Sequence, residues 1–358
     1  MSRQQLDGFL EVAQCCIVAS TPGEVFDAYV LSESSLFVYA DKLVIKTCGT
    51  TALLKALPTA LELAAGVGAP LVRARYSRAC FKYPAVQPAP HRSWGEECAF
   101  LDAALGARGT ARVLGDGSGL KWHLYCADLL QQQAPGSDGQ VEAPATPKAV
   151  QPGSVPTFTL EICMTQLDPS ATAAFTFGDG QPLPPAAEVT ASSGITSLFP
   201  ADMVIDDFVF SPCGYSMNGV LGPGLATIHV TPEARCSYAS VEVSGHAQGV
   251  FNPRQLVAAA CAVFKPGAVC VALTVDGRGP VPAEWAAITM PDQFLAPAAV
   301  DLASMPAGGF VLHTNSAVAP PPKAPAPKAP AAKSNKKRTA VSMPPSCMAL
   351  LPAPLEVM

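Results

Sequence analysis

Short segments rich in Val, Ile, Tyr and Phe alternate with turn-forming residues near the start of the chain. The turns fall at Thr21-Pro22-Gly23 and at Ala40-Asp41-Lys42. This alternation is typical of antiparallel strands joined by tight turns. It predicts a meander of four strands, at Val12–Ser20, Asp27–Leu31, Leu36–Tyr39 and Leu43–Thr47.

Helical spacing of Leu and Ala follows this meander. Thr51–Ala65 has this spacing, and Pro58 is expected to kink the helix. Trp94–Leu105 is the second predicted helix, with Glu96 and Glu97 in its first turn, where they favour the helix dipole. The predicted strands of this region are Leu71–Tyr76, Ala111–Leu114 and Leu120–Ala127.

A similar order of elements restarts after residues 131–156, which are rich in Gln, Pro, Gly and Ala and have no period. The predicted elements are strands at Thr157–Met164, Met203–Phe210, Ala226–Val230, Ser237–Val243 and Ala268–Val275, and a helix at Gln255–Phe264. We therefore predict an α+β protein with two related halves, residues 1–130 and 157–317, joined by a linker. Residues 318–358 are expected to form a disordered basic Pro/Ala tail.

Composition narrows the classes of protein. The 358 residues are 49% hydrophobic, which permits a sizeable core. The net charge is -5 and the basic residues concentrate in the tail, so the acidic body argues against nucleic acid as a partner and suits a cationic small molecule. No apolar run reaches membrane-spanning length, and the N-terminus lacks the apolar region of a secretory signal.

The 12 cysteines have no zinc-site spacing. Several stand in apolar runs and are interpreted as core residues, namely Cys15, Cys16, Cys261 and Cys270. We expect a reduced, cytoplasmic protein that binds neither a metal nor a membrane.

Common catalytic fingerprints are absent: there is no GxSxG, P-loop or HExxH motif. Taken singly, Ser34, Cys48 and His229 are most often a turn serine, a core thiol and a hydrogen-bonded strand histidine. Their surroundings change this interpretation. The informative blocks read YVLSESS at Tyr29–Ser35, KTCGTT at Lys46–Thr51, FSPCGYSMNG at Phe210–Gly219, TIH at Thr227–His229 and TPE at Thr231–Glu233.

These blocks, in this order and spacing, resemble the pyruvoyl-dependent eukaryotic S-adenosylmethionine decarboxylases, with Ser211 where that family has Asn. The resemblance implies a four-layer α/β/β/α sandwich of two antiparallel sheets. It also implies a zymogen that cuts itself between Glu33 and Ser34, so that Ser34 becomes a pyruvoyl group. That group forms a Schiff base with S-adenosylmethionine and accepts electrons as carbon dioxide leaves. The product is the aminopropyl donor for spermidine and spermine.

The resemblance also assigns roles to single residues. Ser216 and His229 assist the cutting, and Cys48 donates a proton to the substrate. Phe210 stacks on the adenine, and Glu233 holds the ribose hydroxyls. Glu33 is expected beside the bound substrate.

Two departures from the family pattern leave alternatives open. The family begins with a strand of the form F-E-G-x-E, which this chain does not contain. Either the start is truncated, or the protein is a catalytically impaired paralogue that binds and regulates an active decarboxylase. The animal putrescine site has an aspartate and an aromatic residue where this chain has Thr157 and Arg75. Arg75, near Glu161 and Glu242, is expected to supply the positive charge that putrescine supplies in the animal enzymes, as in the plant-type enzymes. Putrescine is therefore not expected to activate the protein. The processed chains are expected to form a monomer or a homodimer.

Overall fold

The structure is a computed structural model. It describes residues 1–32, 34–79, 81–115, 120–129, 157–178, 180, 182–247, 249–277, 290–292, 294, 300–305, 309–318 and 353–357. Glu33, the predicted linker and most of the predicted tail therefore lie outside the described residues. Within the described part, no helix has the length and hydrophobicity needed to cross a bilayer.

The first sheet is built almost entirely from the N-terminal half. Its strands are β1 (Ile17–Thr21), β2 (Phe26–Leu31), β3 (Ser34–Tyr39), β4 (Leu43–Thr47), β5 (Arg73–Arg78), β6 (Gly109–Leu114) and β7 (Trp122–Asp128). A strand from the C-terminal end, β16 (Ala353–Val357), completes it in the order β1-β2-β3-β4-β16-β5-β7-β6. The predicted meander is present, since β1 to β4 pair in sequence.

The strand β16 lies between β4 and β5 and pairs antiparallel with both. Pro354, which has no N–H to donate, is opposite Lys46 on β4, and the pairing with β5 begins only at Leu355. The expectation of a disordered tail over 318–358 therefore does not hold for these five residues, because the unpaired edges of two strands offer them backbone partners.

The second sheet contains only strands of the C-terminal half. They are β8 (Thr157–Leu167), β9 (Val204–Val209), β10 (Tyr215–Leu221), β11 (Gly224–Thr231), β12 (Tyr238–Ser244), β13 (Pro266–Asp276), β14 (Val300–Ser304) and β15 (Gly309–Ala317). Their order is β14-β15-β13-β8-β12-β11-β10-β9, and every neighbouring pair is antiparallel. The predicted strands did not include β10, β14 or β15.

Helices cover the outer face of each sheet. The helices α1 (Arg3–Val12), α2 (Leu57–Gly66) and α3 (Trp94–Leu105) bury apolar side chains against the first sheet. The helices α5 (Ala186–Ser192) and α6 (Pro253–Phe264) do the same on the second sheet, and α4 (Pro169–Thr172) is a single turn. The inner faces meet in two further apolar clusters and several polar contacts. The predicted α/β/β/α sandwich of antiparallel sheets is confirmed.

Three local predictions were wrong. Cys16 is exposed and is not a core residue. Residues 12–16 are not strand, because α1 runs to Val12 from an N-terminal capping box formed by Ser2 and Gln5. Pro58 does not kink a long helix. A short 3₁₀ turn, Leu53–Ala56, precedes it, and Pro58 lies in the first turn of α2, where its missing N–H costs nothing.

The pairing of β16 predicts a large effect of a proline at position 355. Leu355→Pro removes an N–H from a strand paired on both sides, which should lower the free energy of unfolding by about 1–3 kcal/mol. Leu355→Ala is the matched control, since it shortens the side chain and keeps the N–H. We expect a lower thermal midpoint for the proline variant than for the alanine variant, and equal midpoints would contradict a paired strand here.

Candidate active site

One cavity of about 300 Å³ opens between the two sheets. Its walls are the residues after β4, the turn between β9 and β10, and the end of β11. Five residues singled out in the sequence line it, namely Cys48, Phe210, Ser216, His229 and Glu233. The structure therefore brings together side chains that are separated by as many as 185 positions, counting from Cys48 to Glu233.

Ser216 and His229 form the floor of this cavity. They are register partners on β10 and β11, so their side chains lie next to each other on the face towards the first sheet. Both are 3% exposed. Burial disfavours the imidazolium ion and lowers the pKa of His229 to about 4, against the opposing effect of a hydrogen bond to the Ser34 backbone. The ring is therefore neutral near pH 7 and able to accept a proton.

Ser34 and Ser35 point to opposite faces of β3, as successive strand residues must. Ser35 Oγ is 3.1 Å from His229 Nε2 and 2.9 Å from Thr227 Oγ1, across the space between the sheets. Ser34 Oγ instead lies 3.7 Å from Cys15 Sγ on the outer side, and Ser34 is fully buried. Ser35, and not the Ser34 hydroxyl, is therefore the side chain of this segment that contacts His229.

Cys48, Phe210 and Glu233 are half-buried, so each can reach a ligand in the cavity. Phe210 packs against Phe208, with ring centroids 4.8 Å apart. A turn at Gly214, with φ of 116°, holds Phe210 in place because the Gly214 carbonyl accepts the Phe210 N–H at 3.0 Å. The described residues contain no group of three or more metal-binding side chains.

Sequence reasoning missed two features of the site. One is Ser35 and its contact with His229; strand alternation across the SESS segment was the available signal. The other is Lys46, a buried cation on β4 that pairs with both Glu161 (3.0 Å) and Glu242 of the second sheet. The sequence signal that could have found Lys46 was a lysine that directly follows three apolar residues in the strand segment LVIKT.

Arg75 does not occupy the position expected of it. Its guanidinium donates to Asp276 at 2.8 Å and to Thr159 at 3.4 Å, two residues along β8 from Glu161. The cation in contact with both glutamates is Lys46. An internal positive charge is therefore present, but a different residue supplies it.

The comparison with known protein families agrees with this geometry. Residues 1–292 match the model of the family described as adenosylmethionine decarboxylase.

The chain belongs to the adenosylmethionine decarboxylase family.

Plant relatives are similar over most of its length. The S-adenosylmethionine decarboxylase proenzyme of Oryza sativa subsp. japonica is 41% identical over 320 residues, which cover 87% of this chain and 74% of the relative. That of Vicia faba is 41% identical over 280 residues, covering 77% and 73%. Both relatives come from plants.

A solved structure supports the fold of this family member. The monomer of Trypanosoma brucei AdoMetDC-delta26 superposes with a TM-score of 0.57 at 21% sequence identity. The match covers 80% of this chain and 99% of the other.

Two buried histidines predict how stability depends on pH. Burial lowers the pKa of both His229 and His246 to about 4, below the ordinary value of about 6.5. Between these values the unfolded chain binds more protons, so stability falls as the pH drops from 6.5 towards 4. We expect each histidine to contribute a loss on the order of 1–3 kcal/mol over that window.

Thermal midpoints of the wild type and of His246→Gln, measured from pH 7.5 to pH 4.5, check this expectation. The glutamine amide can replace the hydrogen bond between His246 Nε2 and the Leu225 carbonyl, which is 2.9 Å long. It does not titrate, so the variant should lose less stability on acidification. Parallel curves for the two proteins would contradict the assignment.

Proposed function

We propose that the protein is an S-adenosylmethionine decarboxylase proenzyme that cuts itself between Glu33 and Ser34. Its reaction would supply the aminopropyl donor for spermidine and spermine. The observation that carries the proposal is the convergence of Cys48, Phe210, Ser216, His229 and Glu233 on one cavity. Family membership and the plant proenzymes named above give it independent support.

The cutting begins within residue 34. Ser34 Oγ attacks the Glu33 carbonyl carbon through a five-membered ring, and the peptide C–N bond breaks as an ester forms. This ring joins adjacent residues, and the attack requires the Ser34 side chain to rotate away from Cys15. Burial of Ser34 protects the ester from water.

His229 then acts on the backbone of residue 34. Elimination of the ester requires removal of the Cα proton, and a neutral imidazole is suited to that task. The 3.1 Å contact between His229 Nε2 and the hydroxyl of the next residue, Ser35, supports this role. Ser35 and Thr227 act as positioning residues that hold the ring, while Ser216 is its neighbour on β10.

The residues present fit a small carbonyl group at position 34. The Nδ1 atom of His229 is buried and has no hydrogen-bond partner among the described residues. A polar atom in this wall of the cavity is therefore available to bind such a group. When present, a pyruvoyl group supplies an electron sink for decarboxylation.

Three residues of the chain would handle the substrate. Phe210 offers an aromatic face to the adenine and to the sulfonium cation. Glu233 accepts hydrogen bonds from the ribose hydroxyls. Cys48 returns a proton to the substrate carbon, since a thiol with a pKa near ~8.5 can donate close to neutral pH.

Putrescine independence is part of the proposal. Lys46 already lies between the two glutamates that a diamine would otherwise neutralise, and it is 1% exposed. Arg75 adds a second fixed positive charge beside Asp276. A reducing, cytoplasmic location is also proposed, because the ten described cysteines form no disulfide.

Self-cutting is tested by gel electrophoresis and mass spectrometry of the purified protein. We expect fragments 1–33 and 34–358, with a pyruvoyl group at the new terminus. Ser34→Ala should abolish the cut. The matched control, Ser35→Ala, should still be cut at the same bond but roughly tenfold more slowly, because it loses one hydrogen bond that positions His229.

An intact wild-type chain after prolonged incubation would contradict this proposal. It would favour the alternative, a catalytically impaired paralogue that binds and regulates an active decarboxylase. None of the described residues provides an observation in favour of that alternative. A cut that persists in Ser34→Ala would show that another residue is the nucleophile.

Putrescine should stimulate neither the cutting nor the decarboxylation. The physical reason is that Lys46 already supplies the buried positive charge. Rates are to be measured with and without sub-millimolar putrescine, with potassium chloride of the same ionic strength as the control. Stimulation of several-fold would overturn this part of the proposal.

A further inference from the structure

Two cysteines face each other in the second sheet, away from the cavity. Cys163 on β8 and Cys270 on β13 are direct partners in the antiparallel register. Both turn towards the first sheet and belong to the same inner cluster, and they are 1% and 0% exposed. The proposed decarboxylase chemistry uses neither of them.

Their register is compatible with a disulfide. Directly opposed residues of an antiparallel pair have Cα atoms about 4.5 or 5.5 Å apart, and disulfides span about 4.4–6.8 Å. The Cβ atoms of such pairs are about 4.5–5.5 Å apart, whereas a relaxed disulfide prefers about 3.5–4.5 Å. A bond formed here is therefore strained and readily reduced, which is typical of regulatory disulfides.

Each sulfur also has a polar partner, which is unusual for cysteines that only fill a core. Cys270 Sγ lies 3.3 Å from His313 Nε2, and Cys163 Sγ accepts a hydrogen bond from the Tyr238 hydroxyl at 3.3 Å. Burial lowers the pKa of His313, so its ring is neutral and can accept a hydrogen bond from the Cys270 thiol. Asp301, about one-third exposed, lies 3.8 Å from the same ring and brings solvent close to the pair.

We propose that Cys163 and Cys270 form a reversible redox site, which hydroperoxides close into a cross-strand disulfide. The Cys270 sulfur attacks one peroxide oxygen, its proton passes to His313, and the O–O bond breaks. The sulfur loses two electrons to become a sulfenic acid, and the departing hydroxide becomes water.

In the second step the Cys163 sulfur attacks the sulfenic sulfur and the S–O bond breaks. The hydroxide that leaves takes the Cys163 proton. In total, two thiols and one hydrogen peroxide give one disulfide and two waters. Glutathione, a thiol, returns the pair to its reduced form by exchange.

The position of the pair gives this oxidation a structural consequence. Cys163 is the register partner of Ser240, and Ser240 is the partner of His229. Glu161, which contacts Lys46, is two residues from Cys163 on the same face of β8. A bond between β8 and β13 therefore restrains the strand that carries Glu161, one of the two carboxylates in contact with the buried lysine.

The test is peptide mapping of the full chain after treatment with hydrogen peroxide under native conditions. Free thiols are alkylated before digestion. We expect most of the protein to contain a peptide linking position 163 to position 270, lighter than the two thiol peptides by two hydrogens. Millimolar glutathione should remove the link. This readout does not depend on decarboxylase activity or on the proposed function.

Three comparisons make the result decisive. Exposed Cys16 reports the peroxide dose. Buried Cys261 on α6 is the control for a core thiol outside a cross-strand pair, and it should stay reduced. Burial raises the pKa of both Cys261 and Cys163, so a difference between them reports the pairing of the cysteines and not thiol acidity. His313→Gln should slow formation of the link at least fivefold. Cys163→Ala should leave Cys270 as a sulfenic acid that dimedone traps.

Recovery of Cys163 and Cys270 as free thiols, at a dose that oxidises Cys16, would overturn the proposal. So would a link that joins either of them to another cysteine. An unchanged rate in His313→Gln would remove the histidine from the mechanism.

Discussion

A buried lysine that joins the two sheets is the interaction on which the rest of the structure depends. Lys46 of the first sheet contacts Glu161 and Glu242, which are register partners in the second. Taking three charges out of water is expensive, and the cost is offset only when the ions hold good geometry. A slip of β4, β8 or β12 by one residue within its own sheet would turn the charged side chain of that strand to the outer face and leave its partner unpaired. The sheets are thereby fixed against each other in one register.

That register positions the site at one end of the sandwich. Lys46 is two residues before Cys48, which follows the end of β4 and lines the cavity. The ion pairs of Lys46 therefore also fix the position of the Cys48 thiol in the cavity wall. In the facing sheet, Glu242 is the partner of Thr227, which lies two residues before His229 on β11. Ser35 then meets both Thr227 and His229. One set of charges thus sets the distance between the serine-bearing strand and the histidine-bearing strand.

The sequence predicted the layers and singled out five residues that line the cavity, because these depend on local patterns and on blocks that resemble a known family. The apolar segments Asp27–Leu31 and Leu36–Tyr39 and the helix Trp94–Leu105 are local signals of this kind. The strand β3 begins two residues earlier than predicted and includes Ser34. The ion partners were not predictable in the same way. Lys46 and Arg75 both stand on inner faces, and only the packing of the sheets decides which of them reaches Glu161. Pairing of β16 with β4 was likewise invisible, since such pairing depends on backbone groups.

The alternation of Ser34 and Ser35 explains how a buried serine and a distant base can serve one reaction. The proposed attack of Ser34 on the preceding carbonyl joins adjacent residues, so its hydroxyl has no need to face His229. The proton that must be removed afterwards belongs to the α-carbon of residue 34, next to the residue whose hydroxyl contacts His229. Ser35, the next residue, faces across the sheets and holds the ring at 3.1 Å. Strand geometry therefore assigns the nucleophile to one face of β3 and the positioning of the base to the other. Burial keeps this imidazole neutral, but it also makes the folded protein less stable in acid, because the unfolded chain binds the proton more readily.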